Sequence, residues 1–251
     1  MVEIVVLEPQ FNSFGKNIFK YVLSINTYNS VVRFYMNFFL TQIQRIKYKL
    51  NIDRKRFVLK LIKQNKSKNI LEIGVFNGNF ALRMLEIAQK HNTEISYTGV
   101  DLFSSKFNSK IKVNEVSLQP LAMSDVKEKL KVFNDVKIEL HSGYSKEVLP
   151  QFIGKKKFDL ILIDGGHSYE TVKNDWLNSL QLISKNGIII FDDYSNRRGE
   201  KKGGFGIRKL INEIQESMQH EFQIRLSKNR DFFLKDYGLL ILQMTLVRKV
   251  D

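Results

Sequence analysis

Four side chains within one stretch of this 251-residue chain have the types and spacing to do chemistry: Asp164, His167, Asp192 and Asp193. They lie in Phe158 to Tyr194, FDLILIDGGHSYETVKNDWLNSLQLISKNGIIIFDDY, which reads as a buried strand, a loop, an amphipathic helix and a second buried strand. Each strand runs out into acid. If the two strands are parallel neighbours, three carboxylates and an imidazole face one crevice. Like charges about 4 Å apart repel by about 4 kcal/mol at an effective dielectric near 20. Such a cluster calls for a cation, a shared proton or a cationic ligand.

The elements that position these groups follow from periodicity. Asn69 to Ile73 is a short strand that runs into the loop Gly74-Val75-Phe76-Asn77-Gly78, and Ala81, Met84, Leu85 and Ala88 then mark one face of a helix. Ile95 to Val100 is a strand ending in Asp101, followed by a long polar segment, Leu102 to about Leu121. Ser124 is placed to cap a helix through Phe133. Val136 to Leu140 is a strand, and Ser142-Gly143-Tyr144-Ser145 opens a short helix. In the helix of the opening stretch, Val172, Trp176, Leu180 and Ile183 fall on the buried side. Phe222 to Leu226 and Leu239 to Val247 close the chain as strands with no clear helix between them. Strands alternating with helices predict an α/β fold: a Rossmann-like, doubly wound, seven-stranded sheet, mostly parallel with an antiparallel edge.

Residues 1–65 read as an N-terminal helical extension, a lid or an oligomer contact, since Phe11, Phe14, Ile18, Val22 and Ile25 recur at helical spacing. The run Arg54-Lys55-Arg56 precedes its last helical pattern. Residues 66–251 form the main domain. With no cysteine, disulfides and thiolate metal sites are excluded. The net charge of +14 invites a nucleic-acid partner, but the lysines are dispersed, which favours a general basic bias over a binding footprint. No run approaches the roughly 20 apolar residues of a membrane span, and a cytoplasmic location is the expectation.

In open parallel sheets, ligands bind outside the carboxyl ends of the strands near the switch in strand order. Every predicted strand delivers polar groups there. Gly74 and Gly78 let backbone approach a ligand and start a helix whose amides bind a carboxylate. Asp101 stands where an acid accepts hydrogen bonds from ribose hydroxyls.

With LEIGVFNG, GVDLF, FDLILID and IIIFDDY in place, residues 66–249 resemble the class I S-adenosylmethionine-dependent methyltransferases. The resemblance implies a cofactor site at Glu72, Gly74, Phe76 and Gly78, with the ribose on Asp101. It implies adenine contacts near Leu102 and Phe103 on one side and Gly143, Tyr144 and Ser145 on the other, with Asp164 also beside the cofactor. The segment Gly143 to Pro150 is similar to the adenine side of catechol O-methyltransferases. Asp164-Gly-Gly-His-Ser-Tyr-Glu170 and Asp192-Asp193-Tyr194 look more like the macrocin and mycinamicin sugar O-methyltransferases. Asp193 and His167 stand where the catechol type has Asn and Lys.

That resemblance points to Asp164, Asp192 and Asp193 as ligands of Mg²⁺ or a similar divalent cation, which favours oxygen donors. His167, three residues past Asp164, is placed to act as base on an acceptor hydroxyl, with Asp164 as its catalytic neighbour. The implied reaction is methyl transfer from S-adenosyl-L-methionine to a hydroxyl of a sugar or other small molecule; the N-terminal helices are a candidate homo-oligomer contact, with a lid or a membrane-surface element as the alternatives. Two rival readings are an RNA methyltransferase, disfavoured because acids at the cleft mouth repel phosphates, and a non-catalytic methyltransferase-fold binding protein. Arg197, Arg198, Lys201 and Lys202 are candidates for holding an acidic substrate. His91, His141 and His220 read as structural or surface residues, and Trp176 as core.

Overall fold

The structure is a computed structural model that describes residues 55–106, 120–195, 206–217, 222–226, 231–235 and 238–249. The first 54 residues, the segment 107–119 and the loop 196–205 lie outside the described residues. With them lie the expected N-terminal helices, most of the polar segment and the basic loop side chains.

The elements in chain order are α1 (Lys55–Asn65), β1 (Asn69–Ile73), α2 (Asn79–Gln89), β2 (Ile95–Asp101), α3 (Phe103–Lys106), α4 (Met123–Leu130), β3 (Val136–Ser142), α5 (Ser145–Val148) with a 3-10 turn (Leu149–Phe152), β4 (Phe158–Ile163), α6 (Tyr169–Leu182), β5 (Ile183–Ser195), α7 (Ile207–Ser217), β6 (Phe222–Leu226), β7 (Asp231–Lys235) and β8 (Gly238–Lys249). The chain divides into two compact units, 1–52 with 232–240 and 53–231 with 241–251. The described part of the first is 232–235 and 238–240, in β7 and the start of β8. The remaining elements, with β8 from Ile241 on, belong to the second.

Its centre is a five-stranded parallel sheet in the order β3-β2-β1-β4-β5. Beyond it, β8 pairs antiparallel with β5, and β6 antiparallel with β8. Eight strands are described, against the seven expected; β7 is the addition. Both faces of the parallel sheet are covered, which is why its strands read as near-continuous apolar runs. Alternation sorts them: Ile70, Leu160, Leu162, Ile188 and Ile190 face a core built with α1, α2 and α4. Leu71, Ile73, Ile161, Ile163, Ile189 and Phe191 face a core built with α6 and α7.

Helix α1 packs into the first of these cores through Val58, Leu61 and Ile62. Helix α6 is capped by Ser168, whose hydroxyl accepts from the Thr171 amide at 3.3 Å. Its buried stripe is Val172, Asp175, Trp176, Ser179 and Leu182, so two polar residues share a face that periodicity predicts from apolar ones alone. Helix α7 buries Ile207, Leu210, Ile211 and Ile214 at three-and-four spacing. Ser124 does not cap α4: the N-cap is Ala122, and Ser124 lies inside the first turn, its hydroxyl 3.4 Å from Asp125. Among the described residues, no helix is long and apolar enough to cross a membrane.

Candidate active site

Strand order reverses between β1 and β4, so their carboxyl ends flank a crevice. Three backbone bonds align the loops there: Gly74 N–H to Val100 C=O at 2.8 Å, Asp164 N–H to Ile73 C=O at 2.8 Å, and Gly143 N–H to Asp101 C=O at 2.9 Å.

On the β1–β2 side, Asp101 organises the glycine loop. Its Oδ2 accepts from the Val75 and Phe76 amides, each at 2.7 Å, and its Oδ1 accepts from the Phe103 amide at 2.8 Å. Lys129 of α4 closes the far side, donating to the Asn77 carbonyl at 2.5 Å and the Asn79 Oδ1 at 2.9 Å. Gly74 has φ +94°, and a Cβ there would lie 2.2 Å from the Asp164 carbonyl oxygen. The glycine is thus required by the close approach of β4, besides any approach to a ligand. Gly78, at φ +71°, caps α2, and a Cβ on it would sit 2.9 Å from Val126 of α4. Phe76 carries its ring on a left-handed backbone (φ 54°) and remains exposed.

Two expected cofactor contacts are committed elsewhere. Glu72 is 1% exposed and accepts a hydrogen bond from the Tyr97 hydroxyl of β2. Burial pushes its carboxyl up to about 8, against the lowering pull of Tyr97 and Lys55. Phe103 is fully buried in the core on that side, because a left-handed turn (φ 47°) carries its ring inward. Leu102, Tyr144 and Ser145 stay at least partly exposed.

The acid cluster is split in two. Ile163 of β4 pairs with Phe191 of β5, so Asp164 and Asp192 are next in register and share a face. Lys55 Nζ lies 2.8 Å from Asp164 Oδ2 and 4.0 Å from Asp192 Oδ2, and 4.7 Å above the Phe80 ring. Burial works to lower the Lys55 pKa, but Asp164 and Asp192 outweigh it and hold the ammonium well above the usual lysine range. Asp193 is one residue on, at φ 59°, and its Oδ2 lies 2.7 Å from His167 Nε2. Asp192 thus faces Lys55, whereas Asp193, on a left-handed backbone at a register shift of β5, faces His167. The three acids do not converge: among the described residues no group of three His, Cys, Asp or Glu could hold a metal ion. The expected Mg²⁺ ligand set, Asp164, Asp192 and Asp193, therefore does not fit the ion as arranged.

The α6 side is tied down further. The Gly206 amide donates to the His167 carbonyl at 2.7 Å, and Tyr169 donates to Glu213 of α7 at 2.6 Å with the Lys209 ammonium 3.9 Å over its ring. His141 packs on Phe152, as a structural residue would. Lys156, in a run that reads as a solvated turn, instead donates to Glu139 at 2.6 Å. Lys55 is the site residue that sequence reasoning misses. It lies 109 residues before Asp164, and nothing in Arg54-Lys55-Arg56 distinguishes the member that turns inward.

Residues 71–194, spanning both halves of the crevice, match the family model of a methyltransferase domain. Solved structures share the fold. The O-methyltransferase TomG from Streptomyces achromogenes, involved in tomaymycin synthesis and determined with S-adenosylmethionine, is 12% identical with a TM-score of 0.56, over 97% of this chain and 100% of that one. An O-methyltransferase from Bacillus cereus, bound to S-adenosylhomocysteine, is 15% identical with a TM-score of 0.54, over 95% of this chain and 100% of that one. Among individual proteins, an uncharacterized protein of Acanthamoeba polyphaga mimivirus is 27% identical over 176 residues, 62% of this chain and 78% of that protein.

Proposed function

We propose that this chain transfers a methyl group from S-adenosylmethionine to a hydroxyl of a small molecule, with a sugar as the leading acceptor class. The observation that carries the reading is the placement of an acid-braced glycine loop and a His–carboxylate pair on opposite sides of one strand switch, inside a matched methyltransferase domain. The loop from Gly74 to Gly78 and Asp101 form the cofactor side, with Tyr144 and Ser145 toward the adenine. His167, with Asp164 nearby, forms the acceptor side.

The chemistry asked of the chain is modest. A hydroxyl is a weak nucleophile until its proton leaves, and the sulfonium methyl is already activated. His167 takes the proton as general base, and the Asp193 carboxylate, 2.7 Å from Nε2, steadies the imidazolium that results. The acceptor oxygen forms the new O–C bond as the methyl C–S bond breaks. The products are a methyl ether, S-adenosylhomocysteine and a proton on His167. Alignment of oxygen, carbon and sulfur supplies much of the rate. No step is assigned to Mg²⁺, since the acids expected to bind it do not assemble as a ligand set.

Calorimetry with S-adenosylhomocysteine tests the cofactor side, and a screen of hydroxylated small molecules with methyl-labelled S-adenosylmethionine tests the acceptor side. Saturable binding and label in an ether product are expected. No binding, or label only in RNA, would refute the assignment.

A further inference from the structure

On the reading that the crevice is the acceptor side of a methyltransferase, its positive charge comes from the chain itself. We propose that the Lys55 ammonium is the resident cation between Asp164 and Asp192, taking the position a divalent ion would occupy, so that the site works without one. Four observations converge on this.

The register of β4 and β5 places Asp164 and Asp192 side by side, and a pair of adjacent carboxylates, one of them 1% exposed, calls for a neighbouring positive charge or a shared proton. The ammonium meets that need from 2.8 Å and 4.0 Å. It is held there by structure rather than by chance reach. Lys55 opens α1, whose Val58, Leu61 and Ile62 are buried in the core, and the Phe80 ring lies under the ammonium at 4.7 Å. Finally, the carboxylate that would complete a divalent site, Asp193, is turned to His167 at 2.7 Å. Lys55 is thus cradled by the carboxylates of Asp164 and Asp192. A divalent ion demands more oxygen ligands at shorter range, and its positive charge would compete with the lysine for the same two acids. The lysine side chain is 29% exposed, so its charge also reaches the crevice where an acceptor oxygen would develop negative charge.

The test is Mn²⁺ binding to the full chain, followed by electron paramagnetic resonance and calorimetry. Lys55→Met should bind Mn²⁺ at least about tenfold more tightly than wild type, because it frees two carboxylates for oxygen coordination. Lys55→Arg, which keeps the charge, should resemble wild type, and adding Asp192→Asn to Lys55→Met should abolish the gain. Mn²⁺ should raise the melting temperature of Lys55→Met and leave wild type unchanged. Equal binding by wild type and Lys55→Met overturns the proposal. One measurement needs no variant: in wild type, excess Mn²⁺ should leave the amide resonances of 163–165 and 191–193 sharp, and selective broadening there also overturns it. S-adenosylhomocysteine affinity on the same preparations reports on the methyltransferase reading separately. Loss of cofactor binding with the Mn²⁺ pattern intact would sink that reading alone.

Discussion

The two sides of the crevice are built on different principles. The proposed cofactor side is made of backbone: a glycine loop whose amides converge on one carboxylate, Asp101, and whose shape is set by neighbours within about one βαβ unit. The proposed acceptor side is made of side chains from distant elements, Lys55 from α1, Asp164 and His167 after β4, and Asp192 and Asp193 in β5, joined by ion pairs. Backbone sites tolerate changes of neighbouring side chains and present one rigid shape. Ion-pair sites can be retuned by a single substitution, which suits a fold that keeps one cofactor and varies its acceptor.

The two sides share one wall, and the largest effect is expected there. Gly74→Ala would drive a Cβ to 2.2 Å from the Asp164 carbonyl oxygen on a backbone at φ +94°. We expect a loss of more than about 4 kcal/mol in stability, with cofactor binding and the Lys55–Asp164 pair disturbed together. Urea denaturation checks this. A variant within about 1 kcal/mol of wild type would show that the halves are mechanically separate.

Next is a change confined to the acceptor side. His167→Ala should lower the methylation rate by about 10²- to 10⁴-fold on an acceptor identified by screening. Its S-adenosylhomocysteine affinity should stay near that of wild type. Normal turnover removes His167 as the base, and a matching loss of cofactor affinity would mean that His167 serves both sides of the crevice.

How far these sides were legible follows the same division. The parallel strands, the glycine loop and Asp101 are readable because they depend on short-range period and on turn chemistry. The electrostatic demand of Asp164, Asp192 and Asp193 is readable too. Its answer is not, because Lys55 comes from 109 residues away and only the packing of α1 brings it in. The expected convergence of the three acids failed on a local fact: a left-handed φ at Asp193, in a register shift of β5, goes with a carboxylate turned to His167, while Asp192 faces Lys55. Glu72 is expected in the crevice from its place at a strand end and Phe103 from the family resemblance, but Glu72 is paired with Tyr97 and Phe103 is buried on a left-handed backbone.

Glu72 provides a test beneath the cofactor side. Its folded pKa of about 8 lies above the ordinary glutamate value of 4.5. Below 4.5 both states hold the proton and Glu72 adds no pH dependence. Between 4.5 and about 8 the unfolded chain releases the proton while the folded chain keeps it, so stability falls as pH rises. Above that the penalty is complete. Glu72→Gln should flatten this slope, with wild type losing on the order of 2–3 kcal/mol more than the variant between about pH 6 and 9. Parallel profiles would show that Glu72 is ionised throughout, and that Lys55 and Tyr97 compensate its burial fully.

The smallest effect separates two roles that Asp101 combines. Its three backbone hydrogen bonds already account for the acid as a brace of the loop, yet a carboxylate has lone pairs enough to accept from a ribose as well. Asp101→Asn keeps the size and removes the charge, and its amide must then face a backbone N–H at one oxygen position. If the acid only braces, the variant should melt lower while S-adenosylhomocysteine affinity falls no more than the loosened loop requires. If it also binds the cofactor, affinity should drop by about 10- to 100-fold, as expected for lost charge-assisted hydrogen bonds. Adenine alone, which lacks the ribose, should then bind wild type and variant alike. Equal losses for adenine and S-adenosylhomocysteine would reduce Asp101 to a brace, leaving both sides of the crevice positioned by acids that the ligand itself never touches.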